Sequence, residues 1–249
     1  YTFTNLNISG TAIFASGTYT MGILTLSNTS VFGVGTYSFS GLLVTNNSTL
    51  TLQWNTTTGS WVIINANNIT VDAGSKISAD WQGYTAQSGT GKGTTYAGAG
   101  YGGNGSGSNG TPWSTYGSNT QPVDLGSGWG NSNGAGGKGG GAIKMIVSGN
   151  VNNNGIITAN GNTVIGNHGG GGSGGSIWID AWILSGNGIF SVNGGSYAVG
   201  NYGGWGWGGR IAIYYNTKTF NGTMVAWGGT GDSGSGNGGA GTVYEHLKP

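Results

Sequence analysis

Ile23-Leu24-Thr25-Leu26 and Leu50-Thr51-Leu52 interleave apolar with small polar residues on a two-residue step. That alternation predicts half-buried β-strands, because successive side chains of a strand point to opposite faces. No segment has the 3.6-residue period of a helix, and the helix formers Glu, Lys and Arg are nearly absent. The pattern predicts an all-β chain.

The strands recur. "GGGAIKMIVSGNVNNNGIITANGN" begins at Gly139, "SGGSIWIDAWILSGNGIFSVNGGS" at Ser173 and "WGGRIAIYYNTKTFNGTMVAWGGT" at Trp207. The apolar anchors Ile143, Ile177 and Ile211 stand 34 residues apart, and Val243 in "GGAGTVYEH" follows 32 later. Each copy runs Gly cluster, strand, Gly turn, second strand, then Asn-Gly or Gly-Gly. "SWVIINANNITVDAGSKISADWQG" is an earlier copy of the same plan. Nearer the N-terminus, Gly-Thr-Tyr occurs twice at an 18-residue step, and Gly22, Gly41 and Ser60 are spaced by 19.

A step of about 18 to 20 residues with several short strands fits one coil of a parallel β-helix. About eight coils are expected, with Ile143, Ile177, Ile211 and Val243 as an interior ladder and Asn side chains stacking at the corners. The 34-residue copies would be the same coil with a longer Gly-rich excursion at one corner. The alternative is a β-sandwich for residues 1–75 joined to a Gly-rich solenoid. Three regions are drawn: N-terminal coils over 1–81, a Gly/Tyr/Trp-rich insertion over 82–141 and C-terminal coils over 142–249. The insertion lacks a strand period for some sixty residues. It is disordered, or it folds back along the solenoid wall with Tyr84, Tyr96, Tyr101, Trp113, Tyr116 and Trp129 as contact points; the aromatic spacing favours the second reading.

Composition narrows the class. Glycine supplies 58 of 249 residues, yet 10 Trp and 12 Tyr are present, which a disordered linker lacks. Only 13 residues are charged and the net charge is +1. Scattered Lys and a single Arg make no basic stripe, so nucleic acid is not an expected partner. No apolar run approaches the roughly 18 residues of a membrane helix. Little net charge favours self-association. There is no Cys, and the opening "YTFTNLNIS" lacks an initiating Met and a signal peptide, so a processed, exported chain is expected. Nine Asn-x-Ser/Thr sites, at Asn7, Asn28, Asn46, Asn47, Asn55, Asn68, Asn104, Asn109 and Asn221, are candidates for N-glycosylation, or chance products of an Asn/Ser/Thr-rich chain.

Candidate chemistry is sparse. A polysaccharide-degrading β-helix needs paired carboxylates or an acidic Ca²⁺ cluster. Asp72 and Asp80 with Lys76 between them come nearest, and read more simply as solvated turn residues. Asp180, three residues after the anchor Ile177, and Arg210, one before the anchor Ile211, fall on adjacent coils and are expected to form a salt bridge rather than a catalytic pair. His168 and His246 share no ligand spacing, and the Gly runs lack a phosphate-loop Lys-Ser/Thr, so neither metal nor cofactor is expected. The chain does not read as an enzyme.

"GGGGSGGSIWIDAWILSGNGIFSVNGG" followed by "GGWGWGGRIAIYY" resembles the Gly-rich repeats of large secreted or cell-surface parallel β-helix proteins. The resemblance is strongest over 136–245, moderate over 60–83 and general in the N-terminal coils. It implies an extracellular structural or adhesive role and carries over no catalytic residue. Two functions follow as expectations. One is a subunit of an extracellular filament or surface layer whose partner is its own copies. Its candidate contacts are the uncharged N-terminal strand (Tyr1, Phe3, Leu6, Ile8) and Trp113, Trp129, Trp205 and Trp207. The other is a monomeric glycan-binding adhesin module using exposed Trp and Tyr.

Overall fold

The computed structural model describes residues 1–57, 60–93, 98–103, 115–129, 136–164, 170–196, 204–230 and 237–249. Every described strand pairs in parallel, and the chain climbs coil by coil between two sheets. Coil 1 carries β1 (Thr2–Phe3), β2 (Leu6–Ile8) and β3 (Ala12–Phe14). Coil 2 carries β4 (Gly17–Leu26) and β5 (Ser30–Phe32), coil 3 β6 (Gly35–Val44) and β7 (Thr49–Leu52), and coil 4 β8 (Val62–Val71) and β9 (Lys76–Ser78). Coil 5 follows with β10 (Ala142–Asn153) and β11 (Ile156–Thr158), and coil 6 with β12 (Ser176–Ser185) and β13 (Ile189–Ser191). Coil 7 has β14 (Arg210–Tyr215), β15 (Thr217–Lys218) and β16 (Thr223–Val225), and β17 (Thr242–Leu247) opens coil 8.

One sheet stacks β1-β4-β6-β8-β10-β12-β14-β17, with β2 beside β4 and β15 beside β12; the other stacks β3-β5-β7-β9-β11-β13-β16. The fold is a parallel two-sheet β-solenoid. A sandwich over 1–75 is ruled out, since β1 to β9 are ordinary members of these parallel stacks.

Register turns the sequence repeats into ladders. Leu24, Leu42, Ile69, Val151 and Leu184 align across five coils, and all are fully buried. The two Gly-Thr-Tyr copies align residue for residue, stacking the Tyr19 and Tyr37 rings at 4.9 Å, and Tyr1 stacks on Tyr19 at 5.2 Å. Inward residues are two apart within each half of a long strand, as at Tyr19 and Met21, but three apart from Met21 to Leu24. That extra outward residue bends the long sheet into two faces. At the bend β10 holds one residue more than its neighbours, a β-bulge after Val147.

The 19-residue spacing to Ser60 is corrected. The true partner of Gly41 is Asn68, because β8 starts only at Val62 and the chain between β7 and β8 carries an antiparallel bridge between Asn55 and Ser60 and stacked Trp54 and Trp61. Ile143, Ile177 and Ile211 form the buried ladder. Val243 is in register with Ile211 but 44 % exposed, as no described strand lies beyond β17.

The Gly-rich excursions make a third wall of a different kind. Gly171 donates its N–H to Gly204, Gly172 to Asn162 and Ser173 to Ser127; Gly174 returns to the first neighbour at Trp207 and Gly175 to the second at Ala159. Gly137 and Gly140 reach Gly170 and Ser173 in the same way, and Gly206 and Gly209 reach Gly195 and Val192. Flanking segments visited every third residue mark the period of a polyproline II type helix, which forms no hydrogen bonds within itself. Such helices pack at backbone contact only without a Cβ, the constraint that places glycine on the collagen axis. A Cβ on Gly98 would overlap the Trp205 carbonyl, and one on Gly139 the Gly126 carbonyl.

The described part of 82–141 lies against this wall as a further layer. Gly126 donates to Gly140, Trp129 to Gly137 and Gly102 to Gly208, and Trp207 donates to Ala99.

Candidate functional site

The outermost coils carry the residues that remain uncovered. Tyr1 and Phe3 are 79 % and 41 % exposed, while Leu6 and Ile8 are half-buried on Leu24 and Leu26. At the other end, Val243, Glu245 and Leu247 follow the inward positions Ile211, Ile213 and Tyr215, and Leu247 is 64 % exposed. Register connects the two ends. The row of Phe3 runs through Met21, Phe39, Ala66, Val147 and Ala181 and ends, past Tyr215, at Leu247. The row of Tyr1 ends at Glu245, which takes Lys218 at 2.5 Å.

The tryptophan contacts are corrected. Trp129, Trp205 and Trp207 are 1 %, 2 % and 1 % exposed, sealed between glycine segments, so they bind the wall together and present nothing to a partner. The Trp207 ring lies where a Cβ on Gly100 would sit, and the Trp129 ring where one on Gly170 would. Trp113 lies outside the described residues, as do Tyr96 and His168. Among the described residues, the indoles that do face out are Trp81, Trp182 and Trp227.

Asp180 and Arg210 do not pair. Register sets Arg210 beside Ser176, four residues short of Asp180, and Asp180 instead takes Lys248 at 2.6 Å. Arg210 is buried. Its guanidinium donates to the Tyr116 carbonyl at 3.0 and 2.8 Å, to Thr242 Oγ1 at 3.2 Å and to Asn119 Oδ1, and lies over the Tyr101 ring. One arginine thus ties the segment near 116–119 to coils 7 and 8. Beside it Tyr101 donates to or accepts from Ser176 Oγ at 2.6 Å, and burial holds the Tyr101 and Tyr116 hydroxyls well above the usual tyrosine range.

Asp80 is not a solvated turn residue. It holds Lys76 at 2.5 Å and accepts the Thr158 hydroxyl and, at 2.7 Å, the Asn160 backbone N–H. Its acceptor role passes up the stack: Asn160 Oδ1 takes the N–H of Asn193 at 2.7 Å, and Asn193 Oδ1 takes that of Trp227 at 2.7 Å. A second ladder runs from Thr163 to Ser196 to Thr230. Among the described residues no group of three His, Cys, Asp or Glu could hold a metal ion, and no helix is long and apolar enough to cross a membrane.

Seven candidate glycosylation asparagines are described, and all are exposed: Asn7, Asn28, Asn46, Asn47, Asn55, Asn68 and Asn221. Asn104 and Asn109 lie outside the described residues. No family model, curated protein or solved structure matches this chain.

Proposed function

We propose that this chain is a structural subunit of an extracellular filament or surface layer, built by adding coils of one copy head-to-tail onto the next. The observation that carries this reading is the shared register of the two end coils. Continuing the stack by one step brings Leu247 of one copy over Phe3 of the next and Glu245 toward Tyr1. Unpaired strand edges supply main-chain donors and acceptors on both sides. Covering a leucine and a phenylalanine adds about 1.5–3 kcal/mol each. A head-to-tail contact that does not close on itself yields a fibre.

The extracellular placement rests on the absence of Cys and on the exposure of the described sequon asparagines, which on this reading carry glycans. A glycan module built on Trp205 and Trp207 has less support, since both are interior. The test is electron microscopy of the protein from its native source in mild buffer. Fibres of uniform width are expected, with an axial repeat of about 38 Å for eight coils spaced ~4.8 Å apart. Short isolated rods alone would overturn the reading.

A further inference from the structure

The outer face of the long sheet bears a trough along the solenoid axis beside the bend. It spans β4, β6, β8, β10 and β12 and encloses about 710 Å³. Its floor is the backbone at Phe39, Ala66 and Val147, whose side chains point inward. One wall carries Ser38, Asn65 and Ile146 in register; the other carries Ser40, Asn67 and Ser148, with Trp182 closing that row. The β10 bulge falls within the second wall, and bulges recur where a strand re-aims side chains next to a site.

We infer that this trough binds a neutral glycan chain lying parallel to the solenoid axis. Trp182, 55 % exposed, offers a flat aromatic face to the C–H side of sugar rings, and Ile146, 38 % exposed, adds apolar surface on the adjacent strand. Polar groups with spare capacity line the trough on the neighbouring coils of β6 and β8. Among the described residues, the side chains of Ser38, Ser40 and Asn65 hydrogen-bond to no protein group, and Ser148 Oγ donates to Asn67 Oδ1 at 3.2 Å, which leaves the Asn67 amide free to donate. Neighbouring coils set these lining residues about 4.8 Å apart along the axis, close to the length of one sugar unit in an extended chain. Among the described residues, the charges on the trough are Asp180 and Lys248, which neutralise one another at 2.6 Å. A sulfated glycan, polyuronide or nucleic acid would find no counter-charge there. The trough is complete within one copy, so its test does not require assembly.

The test is a glycan array of neutral and acidic polysaccharides probed with the full chain, alongside Trp182→Ala, Asn65→Ala and Trp81→Ala, each checked for the wild-type β-sheet circular dichroism. Trp81 is the control, equally exposed but away from the trough. Retention of at least one neutral glycan is expected, weakened tenfold or more by Trp182→Ala, several-fold by Asn65→Ala and not at all by Trp81→Ala. Three results would each overturn the inference: no neutral glycan retained, acidic glycans preferred, or Trp182→Ala binding like wild type.

Discussion

The side-chain oxygen of Asn193 holds the backbone N–H of Trp227, one coil above it, at 2.7 Å. Asn160 does the same for Asn193, and Asp80 for Asn160. The corner after the second sheet is thus bonded through side chains where the strand ladder has already ended. Asn160→Ala strips the acceptor from both the Asn193 N–H and the Ser191 hydroxyl at 2.8 Å. A loss of about 2–3 kcal/mol is expected. Asn160→Asp keeps the acceptor, as Asp80 does one coil below, and is expected to lose less than half as much. Urea unfolding followed by circular dichroism separates the two.

The glycine wall makes a second prediction. Trp207→Ala opens a cavity under the covering layer, at a cost of about 3–5 kcal/mol. Gly98→Ala is expected to destabilise comparably although it adds one methyl, because the Trp205 carbonyl occupies that space. Trp182→Ala, on the exposed flank, is expected to move the thermal midpoint little. A melting series of the three variants checks the ranking.

Alkaline pH offers a third. Desolvation raises Tyr37, Tyr101 and Tyr116, with the neighbouring Tyr19 adding to the rise at Tyr37. A hydroxyl whose folded pKa lies above its unfolded value of about 10 leaves stability untouched below that pH. Above it the unfolded chain sheds protons that the folded chain keeps. Stability then falls as pH rises, by about 1.4 kcal/mol per pH unit for each such tyrosine. Urea midpoints between pH 8 and 11 are expected to hold level and then drop, with a shallower drop in Tyr116→Phe.

Much of this was legible in the chain, and the limits have physical causes. Ile143, Ile177 and Ile211 announced the coil because apolar side chains in register must bury together. The same register arithmetic excludes a bridge from Asp180 to Arg210, since pairing Ile177 with Ile211 fixes Arg210 on Ser176. The anchor isoleucines drew attention to both residues, but Lys248 reaches Asp180 from 68 positions away and no local spacing signals it. Trp205 and Trp207 were harder still. A strand advertises its buried face by alternation, whereas a glycine helix packs by the absence of side chains. Only the hydrogen bonds, such as those of residues 171–175, reveal the three-residue period. The extra length between β7 and β8 was hidden for a simpler reason: an insertion between coils shifts the step without altering either coil.

The end-coil register makes the assembly reading open to a charge-swap experiment. Phe3 and Leu247 end the same row, are both exposed and carry no charge. Neither lies deep in the core, so substitution there is expected to leave each subunit folded, as circular dichroism would verify. Phe3→Asp alone places a carboxylate opposite Leu247 and removes a ring from the contact, so fibre mass pelleted by ultracentrifugation is expected to fall at least tenfold. Leu247→Lys alone is expected to do likewise. Combined in one chain, the two changes set opposite charges across each junction, where attraction at partial burial offsets some of the lost apolar cover. The double variant is therefore expected to pellet more than either single one, and to lose that advantage as added salt screens the pair. Equal pelleting by all three and the wild type would remove this row from the junction.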